Sequence, residues 1–354
     1  MQDLPSHRLS CHPSHRRPCR IAPTLTGMLL ALSLVGCGGG GSDSDSSPTA
    51  GTAGTAGEPA AAAVDRLLSI TLPGYPHAVN VYRTAGAQRA IVLLHGGGGD
   101  LNAVAYQVGL NSSAVYTTVN TINWAWLDAN KVTLVVPQGQ HIPGNPGATT
   151  WSNDAMTSGQ DDKGFLQALA ARVRSDYGLA DITLMGHSMG GAMTNRMWCE
   201  SNGTFNRFVS LAGPLSSTFG QAATPCSPGS TPAPYMGIIG DSDSVMQTSG
   251  AWEAATWTVN PVVVASSIEA WLNNVVIGEF HQQQARTALV CHGTLGSQDS
   301  TTSGNVDTWQ SCSGRLVLKR VRGADHSVAS LDAQMGTAST LDVMNAVMAF
   351  AVAN

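Results

Sequence analysis

"DITLMGHSMGGAMTNRMWCE", residues 181–200, has the pattern of a short apolar strand, a glycine-bounded turn and a helix. Its centre fits G-x-S-x-G, with Ser188 between Gly186 and Gly190. Between a strand and a helix, this pattern is typical of a tight, strained turn that exposes the serine oxygen. Side chains at the two glycine positions would clash across the turn. We therefore predict that Ser188 is a nucleophile and that the helix behind it points its amide dipoles at the site.

Short apolar runs alternate with helical patterns along most of the chain. The runs that predict strands are residues 67–72, 77–83, 89–99, 131–139, 181–186, 206–213, 233–240 and 314–323. Helical spacing of apolar residues predicts helices at 161–178 and 339–354. Strands that are apolar almost throughout and separated by helices predict an α/β fold with a mostly parallel sheet covered on both faces. In such sheets the chemistry lies in loops at the carboxyl ends of the strands.

A serine hydroxyl needs a base to take its proton and an acid to orient that base. His326, in "RGADHSV", follows the last predicted strand and is the candidate base. Two aspartates, Asp241 and Asp243, follow the strand "YMGIIG". We prefer Asp243 as the acid because it lies further into the loop, with Asp241 capping or bracing the turn. Serine, then aspartate, then histidine is the chain order of hydrolases with this type of sheet.

The glycine loop in "LHGGGGD" offers backbone amides to a developing oxyanion. We predict that the amides of Gly97 and Met189 are the donors, with Gly98 close behind. The loop lacks the G-x-G-x-x-G spacing and the lysine of phosphate-binding loops, so we expect no nucleotide cofactor. His187 precedes the serine; its ring is expected to point away from Ser188, and it is a candidate substrate-binding residue.

Residues 1–37 have the pattern of an export signal, in which arginines precede the apolar run "GMLLALSLVG". The run ends in "LVGC", which resembles the lipobox of bacterial lipoproteins and makes Cys37 the predicted lipidation site. The alternative is a plain secretory signal that is cleaved elsewhere. Residues 38–63 have no large apolar side chain and predict a flexible tether. Residues 64–354 then form one catalytic domain that is exported and held at a membrane by lipid, or else secreted.

The charge composition limits the classes of molecule that the chain can bind. The chain has a net charge of −5, and residues 1–37 carry four Arg and one Asp. The remainder therefore has 14 basic and 22 acidic residues, a net charge of −8. No basic stripe remains, which argues against nucleic acid as a partner. The expected partner is an ester substrate, small or polymeric.

Four cysteines remain beyond the signal: Cys199, Cys226, Cys291 and Cys312. An even number in an exported protein predicts disulfides. Four cysteines allow three pairings. We favour Cys199–Cys226 and Cys291–Cys312, because these pairs close short loops. No C-x-x-C pair is present, so we expect no zinc site.

Together these motifs resemble the α/β-hydrolase superfamily. More narrowly, they resemble the esterase family that includes polyhydroxybutyrate depolymerases, feruloyl esterases and acetylxylan esterases. The resemblance covers roughly residues 67–326. Its most specific part has a tryptophan, an Asp-Asp pair before a helix with a phenylalanine, the serine elbow and a Cys-Glu pair. In this chain they are Trp151, Asp161, Asp162, Phe165, Ser188, Cys199 and Glu200.

The resemblance implies roles for three further positions. "IIGDSDSV" resembles the family's H-G-T-x-D-x-x-V stretch and places the acid at Asp243. "RGADHSV" resembles its G-x-G-H-(S/T)-W stretch and places the base at His326. Trp151 is implied as a substrate-binding residue. The chain departs from the family at Ile239, where histidine is usual, and at Val328, where tryptophan is usual.

The predicted function is a serine carboxylic-ester hydrolase that works through an acyl-enzyme on polyhydroxyalkanoate-type polyester or its oligomers. The alternative is a feruloyl or acetylxylan type of carbohydrate esterase. A third hypothesis, a catalytically inactive lipoprotein that binds ligands at the cell surface, is disfavoured because Ser188, Asp243 and His326 are all present.

Overall fold

The computed structural model describes residues 65–153, 157–213, 231–243, 245, 300–336 and 339–354. The chain divides into two units, Met1–Pro59 and Ala60–Asn354, and every described residue belongs to the second. The predicted signal and tether, including Cys37, therefore lie outside the described residues and stay predictions.

Ten of the described strands form one sheet. They are β1 (Leu67–Thr71), β2 (Ala78–Tyr82), β3 (Arg89–Leu94), β4 (Val132–Pro137), β7 (Asp181–His187), β8 (Arg207–Leu211), β9 (Tyr235–Gly240), β10 (Thr301–Ser303), β11 (Val306–Ser311) and β12 (Leu316–Val321). A separate hairpin pairs β5 (Gln140–Ile142) with β6 (Asn145–Thr150).

The strand order is β1-β2-β4-β3-β7-β8-β9-β12-β11-β10. The six central strands, from β4 to β12, are parallel to their neighbours. Both edges are antiparallel, with β1 and β2 at one and β11 and β10 at the other. The carboxyl ends of the parallel strands lie along one rim, which confirms the predicted mostly parallel sheet and brings the loops after β3, β7, β9 and β12 together.

Six described helices cover the sheet: α1 (Leu101–Gln107), α2 (Trp124–Asn130), α3 (Asp162–Tyr177), α4 (Met189–Glu200), α5 (Val328–Met335) and α6 (Asp342–Ala353). Helix α3 is capped at its start by Asp161, whose side chain accepts a hydrogen bond from the Gly164 amide, and at its end by Gly178 in the left-handed conformation. Both are typical helix termini. Within the described part of the chain, none of the helices is both long and apolar enough to span a bilayer.

The two faces of the sheet are buried under different helices. Helices α3 and α4 pack on one face, and α1, α2, α5 and α6 pack on the other. Alternate residues of β3 show the division, because Val92 faces the first cluster while Ile91 and Leu93 face the second. Each such side chain contributes about 1.5–3 kcal/mol when fully buried. The sheet is therefore a rigid base for the loops at its rim.

The structure contains several elements that the sequence pattern did not predict: α1, α2, α5, the β5–β6 hairpin and the β10–β11 edge. Most are short or polar. Strand β10 is exposed throughout, and β5 and β6 have only one buried residue between them, so all three strands lack the apolar signal on which strand prediction depends. Helix α1 has only seven residues, two of which are buried, too few for a helical period to be recognised.

Candidate active site

Ser188 lies at a strained turn between β7 and α4. Its φ is 53° and its ψ is −119°, which is rare for a residue with a side chain. A Cβ atom added to Gly186 would lie 2.2 Å from the carbonyl oxygen of Gly190, and one added to Gly190 would lie 2.6 Å from that of His95. These positions therefore require glycine. The strain is retained because the Ser188 amide donates to the Leu211 carbonyl, 2.9 Å away.

The structure brings together the three side chains that the sequence predicted as catalytic. The Oγ atom of Ser188 lies 2.8 Å from Nε2 of His326. On the other side of the ring, Nδ1 of His326 lies 2.8 Å from Oδ2 of Asp243. Asp243 is buried, with 3% of its surface exposed. With a hydrogen on Nδ1 donated to Asp243, Nε2 can accept the serine proton.

Contacts between two strand-end loops position this acid and base. The Ser242 amide donates to the Ala324 carbonyl, which ties the loop after β9 to the loop after β12. Asp241 also joins these loops, since its Oδ1 accepts a hydrogen bond from the Gly323 amide, 2.7 Å away. Asp241 therefore contacts the turn that carries His326, and Asp243 contacts the imidazole itself.

The glycine loop after β3 lies directly against the elbow. A Cβ atom on Gly97 would be 3.1 Å from Cγ of Met189, so the two predicted oxyanion donors are neighbours. The Gly98 amide donates to the Thr149 carbonyl over 2.7 Å and is not available. Among the described residues, the amides of Gly97 and Met189 have no acceptor. The first amides of a helix lack intrahelical partners, which explains the free amide of Met189.

A buried histidine holds this loop in place. Nδ1 of His95 donates to the Gly96 carbonyl over 2.7 Å, and its Nε2 accepts from the Gly139 amide over 2.8 Å. Burial lowers the pKa of His95, so the ring is neutral and can accept a hydrogen bond. Sequence reasoning missed this residue. The available signal was a histidine directly before a run of glycines.

The position of Trp151 corrects the sequence prediction for that residue. Trp151 was expected to contact substrate, but it is fully buried in the core. Its Nε1 donates to the carbonyl oxygen of His95 over 3.0 Å. Nearby, Nδ2 of Asn153 donates to the Met189 carbonyl over 3.2 Å. The 151–153 segment therefore supports both sides of the proposed oxyanion site from behind.

The aspartate pair of the sequence motif supports the same segment. Oδ1 of Asp162 lies 2.6 Å from Nε2 of His77, and its Oδ2 accepts hydrogen bonds from the Ser152 amide and the Ser158 hydroxyl. The ring of His77 stacks on Phe165 with centroids 3.9 Å apart. Burial acts to raise the pKa of Asp162, but hydrogen bonds from His77, Ser158 and Ser152 outweigh it and lower that pKa. This buried carboxylate therefore holds Ser152 and Ser158 in place.

His187 lies beside the site in a neutral form. Its Nε2 donates to the carbonyl oxygen of His326 over 2.9 Å, and the two rings are 5.0 Å apart. Burial, with a smaller contribution from the nearby His326, lowers the pKa of His187 to about 4. A cavity of about 120 Å³ is bounded by His187, Ser188, His326, the glycine loop and Gln107. His187 thus contacts the cavity in which substrate would react.

The remaining predicted residues concern cysteines and metals. Cys199 is disulfide-bonded. Cys226, Cys291 and the side chain of Cys312 lie outside the described residues, so the pairing stays a prediction. In the part of the chain that the structure describes, no three His, Cys, Asp or Glu side chains are grouped so that they could hold a metal ion.

The sequence profile of the alpha/beta hydrolase family matches residues 91–344. The chain belongs to this family, which confirms the superfamily and the fold predicted from the motifs. A search of curated proteins found no significant match.

Comparison with solved structures finds several esterases and hydrolases to which the chain is similar. The acetyl xylan esterase from Aspergillus awamori superposes with a TM-score of 0.52 at 12% identity, over 81% of this chain and 99% of that chain. Esterase PE8 has a TM-score of 0.41 at 17% identity, over 76% and 97% of the two chains. The S-formylglutathione hydrolase from Agrobacterium tumefaciens has a TM-score of 0.45 at 11% identity, over 80% and 93%. At 12% identity, the similarity to the acetyl xylan esterase shows the fold alone.

Proposed function

We propose that this alpha/beta hydrolase is a serine carboxylic-ester hydrolase that works through an acyl-enzyme. The observation that carries the proposal is the hydrogen-bonded series from Ser188 through His326 to Asp243, with 2.8 Å at each step. A hydroxyl, an imidazole and a buried carboxylate in this order are suited to nucleophilic attack on a carbonyl. Sequence order and strand-end position agree with this interpretation.

In the first half of the proposed reaction, Nε2 of His326 takes the proton of Ser188 as Oγ attacks the ester carbonyl. Asp243 holds the ring so that Nε2 faces the serine, and stabilises the imidazolium that forms. The amides of Gly97 and Met189 donate to the carbonyl oxygen as it becomes negative. The imidazolium then gives its proton to the departing alcohol, and the acyl group remains on Ser188.

In the second half, water takes the place of the alcohol. His326 removes a proton from the water, which attacks the acyl carbon while the same two amides stabilise the oxyanion. The imidazolium returns the proton to Oγ of Ser188, and the carboxylic acid product leaves. Removing one oxyanion donor from such a site costs roughly 3 kcal/mol of barrier stabilisation.

The proposed substrates are hydroxyalkanoate-type polyesters or their oligomers. The support is the resemblance of the Trp151-to-Glu200 segment to the polyester depolymerase and carbohydrate esterase family. Neither lysine nor arginine is among the described residues that line the catalytic cavity, which favours uncharged esters. A feruloyl or acetylxylan type of esterase is the second candidate. It has the same motif support, and the fold similarity to an acetyl xylan esterase is consistent with it.

The test is hydrolysis of p-nitrophenyl butyrate by residues 64–354, with Ser188→Ala as the matched control. We expect turnover by the wild-type domain and none above background in the variant. Equal rates above background would contradict a mechanism through Ser188, and equal rates at background would favour the inactive binding lipoprotein. Hydroxybutyrate oligomers, methyl ferulate and acetylated xylan, measured in parallel, distinguish the two substrate classes by kcat/KM.

We also propose that the full chain is exported and anchored by lipid at Cys37. The support is the arginine-rich start, the apolar run and the "LVGC" sequence that follows it. In a bacterial host, labelled palmitate should enter the wild-type chain and not Cys37→Ala. Incorporation into both proteins, or into neither, would favour a plain secretory signal.

A further inference from the structure

A second, larger cavity adjoins the catalytic one. Its volume is about 800 Å³, and it lies between the end of α1, residues 109–123 and α5; we call it the α1/α5 cavity. Gln107 lines both cavities, so this side chain lies between the two spaces. The catalytic cavity, at about 120 Å³, is several times smaller than the α1/α5 cavity. A substrate with a long chain would extend beyond the catalytic cavity.

The lining of the α1/α5 cavity is suited to an uncharged chain that carries oxygen acceptors. Among the described residues, the side-chain amides of Gln107 and Asn120 have no hydrogen-bond partner and can donate to carbonyl or ether oxygens. The charged residue among the described lining is Asp332, which is buried. A carboxylate there disfavours anionic ligands, and neither lysine nor arginine lines the described wall to attract them.

Exposed apolar side chains are concentrated in residues 106–119, a stretch that also supplies part of the cavity lining. The described residues include six large exposed hydrophobic side chains, and four of them lie within one stretch of fourteen residues: Tyr106, Val115, Tyr116 and Val119. The stretch is held in shape, because Nδ2 of Asn111 donates to the Tyr116 carbonyl over 2.9 Å. Apolar side chains that remain exposed together on an ordered segment indicate a contact surface.

We propose that the α1/α5 cavity binds the extended chain of the ester substrate while its scissile carbonyl lies at Ser188. The ligand class is a hydroxyalkanoate oligomer, in which short apolar units alternate with ester oxygens. The apolar units contact Tyr106 in the cavity wall, and the ester oxygens accept hydrogen bonds from Gln107 and Asn120. This inference rests on the proposed esterase function and adds to it the place where the polymer chain is held.

The experiment fills the cavity from an exposed helix position. Ala329 lies on the exposed face of α5 and lines the cavity, so Ala329→Trp occupies the space without disturbing the core. The readout is the kcat/KM for a hydroxybutyrate trimer ester divided by that for p-nitrophenyl acetate. We expect this ratio to fall about tenfold, through KM for the trimer. Val352→Trp, at an exposed position on α6, is the matched control and should leave the ratio unchanged.

A second variant removes two hydrogen-bond donors from the cavity lining and does not fill the cavity. Gln107→Ala combined with Asn120→Ala should lower the same ratio by about fivefold. A ratio that stays at the wild-type value in both cavity variants would overturn the proposal. So would an effect confined to acetylated xylo-oligosaccharides, which would assign the cavity to carbohydrate. Failure of the esterase proposal is distinct, because wild-type protein would then hydrolyse p-nitrophenyl acetate no faster than Ser188→Ala.

Discussion

His187 donates a hydrogen bond from Nε2 to the carbonyl oxygen of His326, 2.9 Å away. The residue that precedes the proposed nucleophile therefore holds the backbone of the proposed base. Because His187 is joined to Ser188 by one peptide bond, this contact sets how closely the loop after β12 approaches the elbow. Its Nδ1 is buried and has no hydrogen-bond partner among the described residues, so protonation there would place a charge in a buried site.

The first prediction concerns stability at low pH. The pKa of His187 is lowered from 6.5 to about 4, so the unfolded chain takes up a proton at higher pH than the folded one. The free energy of unfolding must then fall as pH drops through this window. Glutamine keeps an N–H donor but does not titrate. Between about pH 7 and about pH 4.5, the free energy of unfolding of the wild type, measured by urea denaturation, should fall on the order of 2 kcal/mol further than that of His187→Gln. Equal falls in the two proteins would contradict the lowered pKa of His187.

The second prediction separates the two aspartates after β9. Asp243→Asn should lower kcat by about 10⁴-fold, because an amide at this position favours the wrong tautomer of His326. Asp241→Asn keeps an acceptor for the Gly323 amide and should change kcat by about twofold or less. Steady-state kinetics on p-nitrophenyl butyrate provides the measurement. Comparable losses in the two variants would show that Asp243 does not act alone on the imidazole.

The third prediction tests the elbow. In Gly186→Ala the new methyl group would lie 2.2 Å from the Gly190 carbonyl oxygen, so the turn must open. We expect a loss of activity together with at least about 2 kcal/mol of stability. Gly203→Ala is the control, since its methyl group would meet nothing within 4 Å. Thermal unfolding and esterase assays on both proteins measure these losses. An active, stable Gly186→Ala protein would refute the steric argument.

The fourth prediction concerns Asp332, which accepts a hydrogen bond from the Val343 amide at the start of α6. Burial raises the pKa of Asp332 from 3.8 to about 6. The folded state therefore keeps this proton to higher pH than the unfolded state, and stability falls as pH rises from about 4 to about 6. Asp332→Asn keeps the acceptor without the charge. It should raise stability by about 2 kcal/mol at pH 8 and leave it unchanged at pH 4. A uniform destabilisation would contradict this.

The fifth prediction concerns the buried support behind the oxyanion loop. Asp162→Asn leaves His77 without its carboxylate partner in a buried site, and breaking such a pair costs about 3–5 kcal/mol. Because Asp162 orders the segment that contacts Met189, we expect kcat for p-nitrophenyl butyrate to fall as well, by about tenfold. Ser158→Ala removes one of the same hydrogen bonds and should cost about 1 kcal/mol with little effect on kcat. If kcat falls in proportion to the loss of stability in both variants, Asp162 does not have a specific role in supporting the oxyanion loop.

Much of the fold could be predicted because its signals are local. The central strands are apolar almost throughout, and α3 has both a capping aspartate and a terminal glycine. The short or exposed elements, such as β10 and α1, could not be predicted because few of their side chains are buried. Their positions depend on contacts with segments that are distant in the chain.

Sequence by itself determined the elbow around Ser188, because steric limits at Gly186 and Gly190 act over a few residues. It also limited the candidate base to His326 and the candidate acid to Asp241 or Asp243, because these residues follow strands whose carboxyl ends lie at the same rim of the sheet. Tertiary structure decided what each neighbour does: it buries Trp151 behind the glycine loop, occupies the Gly98 amide and joins His187 to a carbonyl 139 positions away. These outcomes depend on packing between distant segments, and residue spacing along the chain carries no record of that packing.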